Sequence, residues 1–191
     1  MKFIVGIDVG GSKKGFHCAA INFETNIVID LRRIQGVESV VPWIQSIDGE
    51  CMTIAIDCPP KANRQSKTTR LAERELHQAE YRLQWTREVG KTPDEWMVNG
   101  ENLWRSLKIA GLKVVSLIET FPTAASDRLF DSPTLIPLKF FAGKEKRKQY
   151  KDFVDACICA EVARKNVLKE TKTAGGPNLM NEVDELGPIH Y

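Results

Sequence analysis

The chain reads as a mixed α/β protein. It predicts a five-stranded sheet, three antiparallel strands followed by parallel ones, flanked by helices, with a two-helix insertion after the fourth strand. Three observations carry this. Apolar segments over 2–8, 15–22 and 27–34 are separated only by the turn signals Gly10-Gly11-Ser12 and Thr25-Asn26, the pattern of an antiparallel meander. Val37, Val40, Val41, Ile44 and Ile47 then recur at helical spacing before a fourth strand over 51–57. A helical crossover lets that strand run parallel to the first. Strand and helix patterns continue to alternate afterwards, in the order expected of helices packed on a central sheet.

Cys58-Pro59-Pro60 stops the fourth strand, and residues 61–69 read as a polar, basic, mobile loop. A helix is expected over 69–87, with Ala72, Leu76, Ala79 and Leu83 inside and Arg70, Glu73, Arg74 and His77 outside. Thr92-Pro93-Asp94-Glu95 offers an N-cap, a proline at the first helical position and a capping-box acid. The helix that follows presents Trp96, Leu103, Trp104 and Leu107 on one face and stops at Gly111. With Trp85, two of these tryptophans are expected in core packing. Residues 113–119 form the fifth strand, a short helix runs to about 129, and 131–148 look irregular. The last helix, over 149–169, carries the stripe Phe153, Ala156, Cys157, Ala160, Ala163 and Val167. The expected organisation is one domain over 1–170, a helical insertion at about 61–111, and a loosely ordered tail over 171–191.

A chain of 191 residues is long enough to bury a core, and 42% apolar with 27% charged residues is ordinary for a globular domain. A net charge of +2 announces no bulk affinity for nucleic acid, so any such surface must be a local patch. The five cysteines include no C-x-x-C pair and sit in apolar runs. They read as reduced core thiols of a cytoplasmic protein rather than a disulfide framework or a zinc site. The three histidines are too scattered to suggest a zinc cluster. Asp8 interrupts the first apolar stretch, so no signal peptide is read, and no run is long enough to span a membrane.

Chemistry is suggested by carboxylates at element ends. Asp8 ends the first strand, Asp57 the fourth and Glu119 the fifth, while Asp152 and Asp155 open the last helix. Isolated buried carboxylates are costly, but several that converge are stabilised by a divalent cation between them. If the first and fourth strands are parallel neighbours, Asp8 and Asp57 meet at the carboxyl edge of the sheet, where ligands bind in α/β folds. Several of these acids also have a plainer reading: Asp8 as the opening of a glycine turn, Glu119 as a cap on the turn at Thr120-Phe121-Pro122, Asp152 and, less well, Asp155 as helix-dipole partners. Arg64, Lys67, Arg70 and Arg74 follow Asp57, and Lys144, Lys146, Arg147, Lys148 and Lys151 surround the start of the last helix. Both groups read either as phosphate contacts or as solvated surface. Gly10-Gly11-Ser12-Lys13 lacks P-loop spacing.

Gly6-Ile7-Asp8-Val9-Gly10-Gly11, Ala55-Ile56-Asp57-Cys58-Pro59, Ile118-Glu119-Thr120-Phe121-Pro122 and Asp152-Phe153-Val154-Asp155-Ala156 resemble the motifs of domain-of-unknown-function family 429. The first and last also resemble those of Holliday-junction resolvases. The resemblance covers roughly residues 3–165 and implies an RNase H-like fold. It further implies a Mg²⁺- or Mn²⁺-dependent phosphodiesterase or nuclease acting on DNA or RNA through a two-metal carboxylate site. Asp8 would bridge the ions, and Asp57, Glu119, Asp152 and Asp155 would be the remaining ligands. Arg70, Arg74 and Lys148 are the expected phosphate contacts. Two other functions fit the same residues. The glycine turn is similar to the first phosphate loop of actin-like phosphotransferases, although Asp57-Cys58-Pro59-Pro60 lacks glycine where a second loop is needed. The third possibility is a non-catalytic RNase H-like binding module.

Overall fold

The computed structural model describes residues 1–114, 116–130, 144–177 and 182–191, with the backbone alone given at 130 and 144–149. The chain forms β1 (Lys2–Val9), β2 (Phe16–Asn22) and β3 (Val28–Ile34) as an antiparallel meander. A 3-10 turn at Val37–Ser39 leads into α1 (Val40–Gln45) and back to β4 (Glu50–Asp57), which lies parallel to β1. Next come β5 (Asn63–Arg64), α2 (Leu71–Gln78), β6 (Arg87–Glu88), α3 (Glu95–Ile109) and β7 (Ser116–Thr120). The chain closes with α4 (Pro122–Phe130), α5 (Lys144–Val167), β8 (Thr173–Ala174) and β9 (Ile189–His190). The main sheet runs β3-β2-β1-β4-β7-β9-β8, so the fold is a mixed α/β sheet flanked by helices.

β1 is buried along nearly its whole length because both sheet faces are covered, which is why it reads as an unbroken apolar run. Phe3, Val5 and Ile7 face Trp43 of α1 and Leu103 and Trp104 of α3. The alternate residues face α5, where Ile4, Ala19 and Ala55 meet Ala156, Cys159, Ala160 and Ala163. Gly6 occupies the centre of that contact. A methyl group there would overlap the Ala156 carbonyl oxygen and the Ala160 nitrogen, so only glycine lets the helix backbone touch the strand.

The long strands match the expected order, but among the described residues the main sheet has seven strands rather than five. Residues 171–177 and 182–191, expected as a loose tail, supply the two extra strands: β9 pairs parallel with β7 and antiparallel with β8. A buried ion network fastens this segment. Arg70 Nη1 and Nη2 donate to the two oxygens of Glu119 at 2.9 and 2.8 Å, and Nε donates to Asp184 Oδ1 at 3.0 Å. The Ala72 amide donates to Asp184 Oδ2 at 2.9 Å. These are long-range contacts between groups far apart in sequence, and local pattern cannot reveal them.

The helix expected to Arg87 stops at Gln78. Glu80 adopts a left-handed φ of 67° and the Tyr81 amide returns to the Leu76 carbonyl at 3.0 Å, the geometry of a helix C-terminus without its usual glycine. The following irregular stretch is held by buried Glu73, whose Oε1 accepts from both the amide and the hydroxyl of Thr86. Trp85, expected in the core, is exposed and packs its edge on His77, whereas Trp104 is buried as expected. The loop at 61–69, expected to be mobile, is held in place. Arg64 ties it by donating to Thr68 O at 2.7 Å and Thr86 O at 2.5 Å, and β5 pairs with β6. At α3 the N-cap is Asp94 rather than Thr92, and it makes no side-chain capping bond. The irregular stretch expected at 131–148 lies mostly outside the described residues, but its end is already helical from Lys144. Among the described residues no helix is long and apolar enough to cross a membrane.

Two outcomes test this architecture. Gly6→Ala is expected to lower stability by about 3 kcal/mol or more by forcing α5 off β1, read as a fall in the urea midpoint. Asp184→Ala is expected to cost about 3–5 kcal/mol by leaving Arg70 with an unpaired buried donor. An unchanged midpoint would mean that the C-terminal strands do not stabilise the sheet.

Candidate functional site

β1, β4 and β7 are parallel, so their carboxyl ends share one sheet edge. Asp8 and Asp57 are register partners there, and partners in adjacent strands project from the same face. That face is the one covered by α5. Because α5 touches β1 at Gly6, its preceding turn brings Asp152 and Asp155 over the same edge. Asp8, Asp57, Asp152 and Asp155 thus border one cleft of about 440 Å³, together with Lys14, Lys151, Arg82, Gln84 and Trp96.

Two ammonium groups sit among the four carboxylates. Lys14 Nζ lies 2.8 Å from Asp8 Oδ2 and 2.9 Å from Asp152 Oδ1. Lys151 pairs with Asp155 one helical turn away. Burial opposes the charge of each lysine, but the adjacent carboxylates outweigh it and hold both ammonium groups above their usual range. The carboxylates remain under strain. Burial pushes Asp8 up to about 6, against the pull of Lys14. Asp57 rises well above its ordinary value through burial, reinforced by Asp8 and Asp155. Asp155 is raised by burial despite Lys151.

His17 completes the cluster. It is the β2 register partner of Asp8, is only 2% exposed, and places Nδ1 3.7 Å from Asp8 Oδ2. One ligand atom each from Asp8, His17 and Asp152 lies within 4.8 Å of the others, close enough for a single metal ion. Neither His17 ring nitrogen has a hydrogen-bond partner among the described residues, and burial lowers the imidazole to about 4. The ring is therefore a neutral donor at neutral pH. His17 stood outside the expected set because the histidines are scattered in sequence. The hairpin carries the missing signal: a turn centred between Ser12 and Lys13 places position 17 opposite position 8.

Of the expected site residues, Asp8, Asp57, Asp152 and Asp155 come together and Glu119 stands apart. Glu119 pairs in register with Ile56, whose side chain lies in the α3-side core, so it leaves the sheet on the face opposite Asp57. It borders the cleft, but both its oxygens are taken by Arg70. The expectation that Arg70 contacts phosphate is corrected by the same pair: its guanidinium is fully buried and bound to carboxylates, out of reach of a substrate. Arg74 is exposed on α2 and does not border the cleft. The side chain of Lys148 lies outside the described residues. Among the described residues, the cations that border the cleft are Lys14, Lys151 and Arg82. No family model matches this chain, and no curated protein sequence does either.

The raised value of Asp8 has a definite sign. Folding takes up a proton at this carboxyl, so its contribution is most favourable below about pH 4 and is lost as pH rises through 6. In EDTA, Asp8→Asn is expected to gain on the native chain by on the order of 2 kcal/mol between pH 4 and pH 7. Urea midpoints across that range measure it. A difference independent of pH would show that Asp8 titrates normally.

Proposed function

We propose that this chain is an RNase H-like, divalent-cation-dependent phosphodiesterase acting on nucleic acid. One observation carries the reading: at the shared carboxyl edge of β1 and β4, the carboxylates of Asp8, Asp57, Asp152 and Asp155 gather in one partly buried cleft and outnumber the two ammonium groups paired with them. Like charges this close repel unless they take up protons or a cation intervenes. The oxygen-rich donor set suits Mg²⁺ or Mn²⁺. Asp8, Asp57, Asp152 and Asp155 are the groups that would hold such an ion, which when bound supplies Lewis acidity toward a phosphoryl oxygen.

The chain's own residues fill the other roles. Lys14 and Lys151 reach the cleft on flexible stems and can neutralise phosphate oxygens. Arg82 and Gln84, on the irregular stretch after α2, line the wall available to the rest of the substrate. Asp57 is raised by burial and by the charges of Asp8 and Asp155, so a cation held there relieves that repulsion and keeps its carboxylate charged. Glu119 and Arg70 serve as the rigid base under this edge.

Single-stranded and branched DNA and RNA, incubated with Mn²⁺ or Mg²⁺, test the reading. The native chain is expected to cleave at least one of them. Asp57→Asn and Asp155→Asn are each expected to reduce the rate by about a thousand-fold, since lost charge stabilisation is worth several kcal/mol. Arg74→Ala is expected to leave it within about threefold. Cleavage that survives both aspartate changes would exclude the carboxylate edge as the catalytic centre.

A further inference from the structure

We propose that the part of the cleft nearest β2 is a mixed nitrogen–oxygen cation site, built from Asp8, His17 and Asp152, that selects transition-metal ions such as Mn²⁺ over Mg²⁺ and holds the Lys14 ammonium as its resident competitor. This rests on the phosphodiesterase reading and specifies its cofactor.

The donors have the required spacing. Imidazole nitrogen and carboxylate oxygen bind such ions at roughly 2.0–2.2 Å, which puts two ligands of one ion about 3–4 Å apart. His17 Nδ1 and Asp8 Oδ2 are 3.7 Å apart, and Asp152 supplies a third atom within 4.8 Å. The acids alone would not define a site. The independent observation is His17: a polar ring almost wholly buried beside Asp8, both nitrogens lacking a hydrogen-bond partner among the described residues. Burying a polar group without a partner is unfavourable unless something else satisfies it. The Phe153 ring, edge-on at a centroid distance of 4.8 Å, packs against the imidazole but offers no acceptor. Asp8 Oδ2 likewise has no aligned hydrogen-bond donor, although Lys14 Nζ is close.

Imidazole is a poor ligand for Mg²⁺, which prefers oxygen and water, and a good one for later divalent ions. Replacing one oxygen by nitrogen therefore shifts selectivity. Lys14 explains how the carboxylates are stabilised without a metal. Its ammonium bridges one oxygen of Asp8 and one of Asp152, both from the carboxylates that a cation would use. Ammonium and metal ion cannot share them without strong repulsion. Lys14 lies in the turn between Gly11 and Gly15 and is partly open to the cleft, so the ammonium has a way out when an ion enters.

The test loads the full chain with Mn²⁺ alone. Pulsed electron paramagnetic resonance of the bound ion is expected to show coupling to a ¹⁴N nucleus, a readout independent of activity and of any variant. His17→Asn is expected to abolish that coupling and weaken Mn²⁺ at least about tenfold while leaving Mg²⁺ nearly unchanged. Lys14→Met is expected to tighten Mn²⁺ about tenfold or more by removing the competitor. Bound Mn²⁺ without nitrogen coupling, or with coupling that survives His17→Asn, overturns the role of His17 and leaves the carboxylate phosphodiesterase standing. Lys14→Met that binds no tighter overturns the competition. Failure of both the native chain and Lys14→Met to bind Mn²⁺ overturns this site and the cation-dependent reading together.

Discussion

The architecture depends on one backbone contact. α5 lies directly on β1 because Gly6 has no side chain and Ala156, Cys159 and Ala160 are small. A helix normally stands off a sheet by the thickness of two side-chain layers. Here its backbone touches the strand, and the consequence is felt about one turn further along. Asp152 arrives beside Asp8 closely enough for a single lysine to bridge them. Small residues on α5 and glycine in β1 are thus as much a part of the cleft's geometry as the acids themselves. They also explain why a strand this buried tolerates glycine, which packing and chain entropy ordinarily disfavour there.

A second constraint lies on the opposite side of the same sheet edge. Arg70 gathers Glu119 from β7, Asp184 from the C-terminal segment and, at 3.9 Å, Glu73 from α2. β7, α2 and the C-terminal segment are thereby tied to one guanidinium. Arginine suits the role because its planar fork meets a carboxylate with two bonds and still has a third direction to donate. Such a network is weak evidence for net stability, since desolvation offsets much of the attraction. Its effect is to define which segments meet, and it holds the segment that carries β8 and β9 against α2 and β7.

The two charge clusters are built on different terms. Around Arg70, nearly every acceptor has a donor at hydrogen-bond distance, as in a structural network. Around Asp8, carboxylates outnumber ammonium groups, proton affinities are driven upward, and a histidine lacks hydrogen-bond partners among the described residues. Satisfied groups rigidify, whereas unsatisfied ones bordering an open cleft mark the place where a ligand changes the energy most.

The sequence alone determined the order of the long strands, the parallel return after α1, and the meeting of Asp8 with Asp57. Each follows from local periodicity and from the rule that short turns join antiparallel strands while a helix joins parallel ones. It also marked Asp152 and Asp155, because acids beside an apolar stripe are legible on a helix. Tertiary structure decided the rest. Arg70 and Arg74 are basic residues four positions apart, at the N-cap and in the middle of α2, yet one is buried and the other exposed; burial is a property of the whole fold, not of the residue. Glu119 looked equivalent to Asp57, but a shift of one position in strand register sends alternate side chains to opposite faces. His17 became visible only once the hairpin set it against Asp8. The helix expected to continue to Arg87 yielded to Glu73 and Thr86, whose buried hydrogen bonds hold the chain in a non-helical path that helical propensity alone does not predict.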